Sequence, residues 1–184
     1  MKVLGISGSL RKHSHNTALL RAAQRLAPEG IEFELYDELE LIPPYNEDRD
    51  GDDAPAAATR LRELVAGADA VLFATPEYNG STPGQLKNAL DWLSRPRGEA
   101  AVFGKTAGVI GASPGAYGGM WAQADLRKSL GIAGARVAAA ELALSKAGDH
   151  LYENGEIMDA DTHDKLADVL ADLAETAEPA ALAA

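Results

Sequence analysis

Gly5-Ile6-Ser7-Gly8-Ser9-Leu10-Arg11-Lys12-His13-Ser14-His15-Asn16-Thr17 is the stretch on which the fold turns. Ahead of it runs the short apolar segment Lys2-Val3-Leu4-Gly5-Ile6. Behind it, Ala18-Leu19-Leu20-Arg21-Ala22-Ala23-Gln24-Arg25-Leu26 has the spacing of an amphipathic helix. A strand, a polar loop and a helix in that order put the loop at a helix N-terminus. Unpaired N–H groups and the positive end of the helix dipole favour an anion there. Ser9, Ser14, Asn16 and Thr17 add donors and Arg11 adds a permanent positive charge. The stretch therefore reads as a phosphate cradle; the plainer alternative is that its Ser and Asn only cap the helix.

Two familiar phosphate motifs are excluded. No Gly-Lys-Ser or Gly-Lys-Thr closes the loop, so it is not a Walker A loop, and after Gly5 and Gly8 no further glycine precedes the helix, so it is not Gly-x-Gly-x-x-Gly. A hydroxyl- and arginine-rich cradle for a terminal phosphate monoester remains. The net charge of -11, from 28 acids and 17 bases, opposes an anionic ligand only at long range. Salt screens distant charges beyond about 8 Å, whereas each charge-assisted hydrogen bond contributes about 1.5–3 kcal/mol.

Working outward, apolar and amphipathic runs alternate. Ile31–Tyr36 alternates with period two and predicts a strand near a sheet edge. Leu41–Asp53, with two prolines, a glycine and an acidic cluster, predicts a loop, and Ala54–Ala66 a helix with Pro55 in its first turn. Asp69–Thr75 and Thr106–Gly111 are continuous apolar runs suited to strands covered on both faces. Pro83–Leu93, Met120–Leu130 and Asp161–Ala174 predict helices, Ala135–Ala140 a fifth strand, and Gly148–Met158 irregular structure. The tail from about residue 178 is expected to fray. Five strands alternating with five helices imply one domain over residues 1–184, with a parallel sheet between two helical layers. Loops 8–17, 76–82 and 113–119 follow strands one, three and four, and all emerge at the carboxyl edge where such sheets bind ligands.

Thr75-Pro76-Glu77-Tyr78-Asn79-Gly80-Ser81-Thr82-Pro83-Gly84 offers a turn with free amides that can lie against a flat heteroaromatic ring. Ser113-Pro114-Gly115-Ala116-Tyr117-Gly118-Gly119 has three glycines, which allow close backbone approach. Each is equally readable as a plain connection. With the first loop, they suggest a phosphorylated flat ligand across the sheet edge.

The remaining composition narrows the chemistry. There are no cysteines, which removes disulfides, thiolate nucleophiles and Cys-ligated metals. The acidic balance argues against nucleic acid or an anionic membrane as a partner. No apolar run approaches the roughly 20 residues of a membrane span, and the N-terminal residues read as a strand rather than as a secretory signal; the expected location is the cytoplasm. His13, His15, His150 and His163 lack metal-ligand spacing, and Asp48–Asp53 reads as a solvated loop. Trp92 and Trp121 read as packing residues, Trp121 alternatively reaching the ring or a subunit boundary.

Gly8-Ser9-Leu10-Arg11-Lys12-His13-Ser14-His15-Asn16, Thr75-Pro76-Glu77-Tyr78-Asn79-Gly80 and Leu86-Lys87-Asn88-Ala89-Leu90-Asp91-Trp92-Leu93-Ser94-Arg95-Pro96 together carry a resemblance. The chain resembles the NAD(P)H-dependent FMN reductase family, the flavodoxin-like group that includes bacterial quinone, chromate and azo-dye reductases. The similarity runs from about residue 2 to about residue 140. It implies a flavodoxin-like α/β sandwich with a five-stranded parallel sheet of order 2-1-3-4-5. It implies bound FMN, its phosphate held by Ser9, Arg11, Ser14 and Asn16, with Thr17 assisting and His15 in the same loop. Pro76, Glu77, Tyr78 and Asn79 would line the isoalloxazine ring with Gly80 beside them, the Asn79 main chain lying near N5. Ser113, Gly115 and Gly118 would touch its other side.

The activity so implied is hydride transfer from NADPH or NADH to the flavin, then to a small-molecule acceptor, with no side-chain nucleophile. Quinones and flavins rank ahead of azo compounds and chromate, because an acidic wall suits oxyanions poorly. The family also implies a homodimer or homotetramer with the third and fourth helices at the interface, across which Arg127 and Glu141 would pair. The rivals are a flavodoxin-like FMN electron carrier without nicotinamide activity and a flavin-free binding module.

Overall fold

The computed structural model describes residues 1–51 and 53–178. The expected frayed tail lies outside the described residues beyond Glu178. The elements run β1 (Lys2–Ser7), α1 (His15–Leu26), β2 (Glu32–Tyr36), α2 (Ala56–Gly67), β3 (Ala70–Ala74), α3 (Gly84–Leu93), β4 (Thr106–Ala112), α4 (Met120–Ile132), β5 (Arg136–Leu144) and α5 (Ala160–Ala177). The five strands form one parallel sheet in the order β2-β1-β3-β4-β5. This is the flavodoxin-like order, with β2 at one edge and β5 at the other.

Side-chain alternation splits the interior into two cores. Val3, Leu72 and Ile110 face α1 and α5, where Leu19, Leu20, Leu166 and Leu170 are buried. Leu4, Ile6, Val71, Phe73 and Val109 face α2, α3 and α4, where Leu61, Leu86, Leu93, Leu126 and Leu130 are buried. A fully buried Leu, Ile or Phe contributes about 1.5–3 kcal/mol relative to exposure, so these runs fix the register. β3 is buried at every residue, as its unbroken apolar sequence requires. Trp92 is fully buried and donates its Nε1–H to Pro43 O at 2.8 Å, so its packing role holds.

Three expectations change in detail. Pro55 and Pro83 stand at the caps of α2 and α3 rather than inside them. Asp50, expected in a solvated loop, pairs with Arg62 Nη2 at 2.9 Å, and both side chains are largely buried. β5 runs four residues past Ala140 because its pairing with β4 is irregular between Ala107 and Val109, leaving extra residues on the edge strand. Arg127 satisfies that irregularity, donating to Ala139 O at 2.9 Å and to Ala138 O, while Asp172 accepts from Ala140 N at 2.6 Å. Arg127 and Glu141, expected to pair across subunits, lie 3.3 Å apart within the chain, where the guanidinium also holds the strand beside Glu141.

Candidate active site

Because β1, β3 and β4 are neighbours, their following loops meet at one edge of the sheet. They enclose a cleft of about 230 Å³. The first loop supplies Ser9, Arg11, Ser14, His15 and Asn16; the second supplies Pro76, Glu77 and Tyr78; β4 and the third loop supply Ala112, Ser113 and Pro114.

The first loop divides its groups between holding itself and facing the cleft. Ser14 is the N-cap of α1, its Oγ accepting from Thr17 N at 3.2 Å. Its hydroxyl proton is left to donate. The His15 and Asn16 amides, first in the helix, have no intrahelical acceptor. Ser9 Oγ accepts from Arg11 N at 3.4 Å, and the Arg11 side chain is exposed at the cleft. Two expected donors are used differently. Asn16 is 3% exposed, and its amide grips β4: Nδ2 donates to Ala112 O at 2.9 Å and Oδ1 accepts from Ala112 N at 3.0 Å. Only its backbone N–H remains for a ligand at the helix end. Thr17 does not line the cleft; its Oγ1 donates to Ser7 Oγ at 2.9 Å beneath the loop.

The second loop is a two-residue hairpin. Tyr78 and Ser81 exchange both backbone hydrogen bonds at 3.2 Å, and Asn79 and Gly80 have φ of 55° and 73°. Positive φ at both central residues is the type I′ turn that Asn-Gly favours. It leaves the Asn79 and Gly80 amides directed away from the hairpin. Glu77, expected against a ring, lines the cleft but spends its carboxylate on α4: Oε2 accepts from Trp121 N at 3.0 Å and Ala122 N at 3.1 Å.

In the third loop Ser113 faces the cleft, and its Oγ accepts from the exposed Gly115 N at 3.0 Å. Gly118 departs from its expected ligand contact. It is buried, and a Cβ there would lie 2.3 Å from Ala143 C, so it is glycine because β5 presses on it. Trp121 is 48% exposed and lies against Tyr117, ring centroids 4.8 Å apart. Asp125 was assigned nothing from the sequence, yet it accepts from Ser81 Oγ at 2.6 Å and Thr82 N at 3.3 Å. The Ser81 hydrogen bond, then that from Thr82, holds its carboxyl below the usual carboxylate range. The Asn79-Gly80 pair could have signalled the hairpin; no local pattern marks Asp125.

The donor set fits FMN. One end combines an open helix start, the Ser14 hydroxyl and the Arg11 guanidinium, which is phosphate chemistry. The second loop offers Pro76 and Tyr78, which suit a flat ring; Asn79 and Gly80, expected at the ring, do not line the cleft and sit exposed at the turn beyond Tyr78. A second cavity of about 320 Å³ lies on the β2 side of the first loop, bounded by Thr17, Arg21, Asp37 and Glu40 and sharing Ser9 and Arg11. Among the described residues, no group of three or more His, Asp or Glu is placed to hold a metal.

Comparison with known proteins agrees with this geometry. Residues 1–149 match the family model for NADPH-dependent FMN reductase. The chain is 52% identical over 130 residues to an NAD(P)H-dependent FMN reductase of Pseudomonas aeruginosa, covering 71% of this chain and 69% of that one. It is 46% identical over 125 residues to a quinone reductase of Pseudomonas putida, covering 68% and 67%. The solved structure of FerB, a flavoenzyme NAD(P)H:(acceptor) oxidoreductase from Paracoccus denitrificans, superposes with a TM-score of 0.84 at 36% identity over 96% of each chain. A Pseudomonas aeruginosa flavodoxin shares the fold, with a TM-score of 0.57 at 20% identity over 95% of this chain and 99% of that one. The chain belongs to the NADPH-dependent FMN reductase family.

Proposed function

We propose that this chain holds FMN in the cleft between loops 8–17, 76–82 and 113–119 and uses NADH or NADPH to reduce quinones. The observation that carries this reading is one cleft lined both by an open helix start with Arg11 and by Pro76 and Tyr78, the leg that leads into the Asn-Gly turn. FMN held there would supply the two-electron redox chemistry, the overall reaction being NAD(P)H, a proton and a quinone giving NAD(P)⁺ and a quinol.

The protein's part is placement. Ser9, Arg11, Ser14 and the first amides of α1 hold the phosphate. Pro76 and Tyr78 flank the ring, and Ser113 with Gly115 closes its other side. At about 230 Å³ the cleft is smaller than the roughly 300–1,000 Å³ of enclosing pockets. Nicotinamide and acceptor can then use one open face in turn. The Glu77 carboxylate on the cleft wall disfavours oxyanion acceptors such as chromate. The curated relatives include a 2-hydroxy-1,4-benzoquinone reductase of Burkholderia, 44% identical, which supports quinone as the acceptor class.

The 1–184 chain acts as one domain, in the cytoplasm, as a homodimer or homotetramer. Exposed Met120, Trp121 and Ile132 on α4 support a subunit contact there. Among the described residues no helix is long and apolar enough to cross a membrane. The test is anaerobic mixing of the FMN-loaded protein with NADH or NADPH, followed by a panel of quinones, azo dyes and chromate. Bleaching of the flavin band and recovery on quinone addition is the expected result. A protein that fails to take up FMN refutes the reading; one that stays yellow with both nicotinamides is an electron carrier.

A further inference from the structure

We propose that Glu77 and Asp125 are positioning residues, two carboxylates that brace the 76–82 hairpin onto the first two turns of α4 and so hold the ring-facing wall of the cleft in place. The inference rests on FMN occupying that cleft.

The N-cap of α4 is Gly119, which has a φ of 79° and no side chain to cap the free amides of the first turn. Glu77, on another loop, supplies the missing acceptor to Trp121 N and Ala122 N. One turn further along, on the same helix face, Asp125 reaches back to Ser81 Oγ and Thr82 N. Between the two carboxylates, Thr82 Oγ1 donates to Ala122 O at 3.2 Å. Glu77 and Ser81–Thr82 flank the hairpin on either side, so both of its legs are pinned. The tip between them is fixed internally only by the Tyr78–Ser81 pair. Where the Asn79 and Gly80 amides sit therefore depends on the brace.

Charged acceptors suit this task. Hydrogen bonds to a carboxylate are roughly twice as strong as neutral ones, and a negative charge at a helix start is favourable. The same charge stoppers α4, leaving the α1 end as the anion site of the cleft.

The test compares Glu77→Ala, Asp125→Ala, Glu77→Gln, Asp125→Asn and Ser81→Ala with the FMN-loaded wild type, reading FMN Kd, the visible flavin spectrum, kcat and KM for a neutral quinone, and Tm. Each alanine variant at the carboxylates is expected to weaken FMN by about tenfold or more. It should shift the flavin band and lower kcat more than it raises KM. Glu77→Gln and Asp125→Asn keep an acceptor oxygen and are expected to regain most of that loss. Ser81→Ala lies at the surface and removes one hydrogen bond, so it tests the brace even where the alanine variants fail to fold. An effect of about two- to threefold on FMN is expected. A lower Tm with unchanged FMN Kd, spectrum and kcat in the folded variants would overturn the brace, as would an unaltered Ser81→Ala protein. A wild type that does not bind FMN overturns both this inference and the function it rests on; a wild type that binds FMN alongside indifferent variants overturns only the brace.

Discussion

Two helices start on the same sheet edge, and their ends are finished in opposite ways. At α1 the side chains of Ser14, Asn16 and Thr17 shape the loop, while the His15 and Asn16 amides stay open to the cleft. At α4 the Met120 amide bonds Tyr117 O, and the next two, of Trp121 and Ala122, are closed by the Glu77 carboxylate from another loop. Both ends carry the same dipole and orphan donors. The difference shows that a helix start becomes an anion site only when the chain leaves it empty. In the function proposed above, one end is left for a phosphate and the other builds the wall beside the ring.

Four experiments break or sharpen that contrast. The largest effect belongs to Asn16→Ala, which removes both contacts to Ala112 and leaves a buried amide and carbonyl unpaired. A loss of about 2–4 kcal/mol in stability is expected from urea unfolding, since each unsatisfied group costs about 1–3 kcal/mol. A loss below about 0.5 kcal/mol would mean that the strap is ornamental. Next comes Arg11→Ala. Its exposed guanidinium packs against no core, so Tm should hold, while FMN Kd rises about 10- to 150-fold, the equivalent of one charge-assisted bond of about 1.5–3 kcal/mol. An unchanged Kd would move the phosphate out of this loop.

Ser14→Ala is expected to do both things weakly. It should lower stability by about 1 kcal/mol through the lost cap and weaken FMN several-fold, read by urea unfolding and fluorescence titration. The smallest effect is in pH. Asp125, held below the ordinary carboxylate range by Ser81 and Thr82, contributes fully above the unfolded value of about 3.9 and is lost only as pH falls through its depressed folded value. The Asp125 arm of the brace is thus intact at pH 5. A phosphate monoester gains its second proton near pH 6. Between pH 7 and 5, FMN binding should weaken while riboflavin, which lacks the phosphate, binds with constant affinity. Riboflavin affinity falling in step with FMN would place the titrating group in the protein.

The contrast also marks how far the sequence could be read. The apolar runs at Val3–Ile6, Ala70–Ala74 and Thr106–Gly111 announce buried strands because every residue in them must avoid water. The three loops after β1, β3 and β4 were legible as a ligand edge for the same reason: chain order alone puts them there. What sequence could not show is how polar groups divide between ligand and protein. Asn16 and Glu77 stand in a loop like donors and acceptors for a cofactor, yet their partners, Ala112 and Trp121, are 96 and 44 residues away. Arg127 had the same fate, its charge answered by the carbonyls of β5 and by Glu141 of its own chain. Gly118 shows the converse. It sits in a glycine-rich loop that suggests room for a ligand, and the space is filled by a neighbouring strand.

The grip of Asn16 on Ala112 bears on what binding costs. It clips the start of α1 to the end of β4 across the floor of the cleft. The α1 and β4 walls of the cleft are thereby held at a fixed spacing before any ligand enters, so binding between them loses little entropy to ordering the protein.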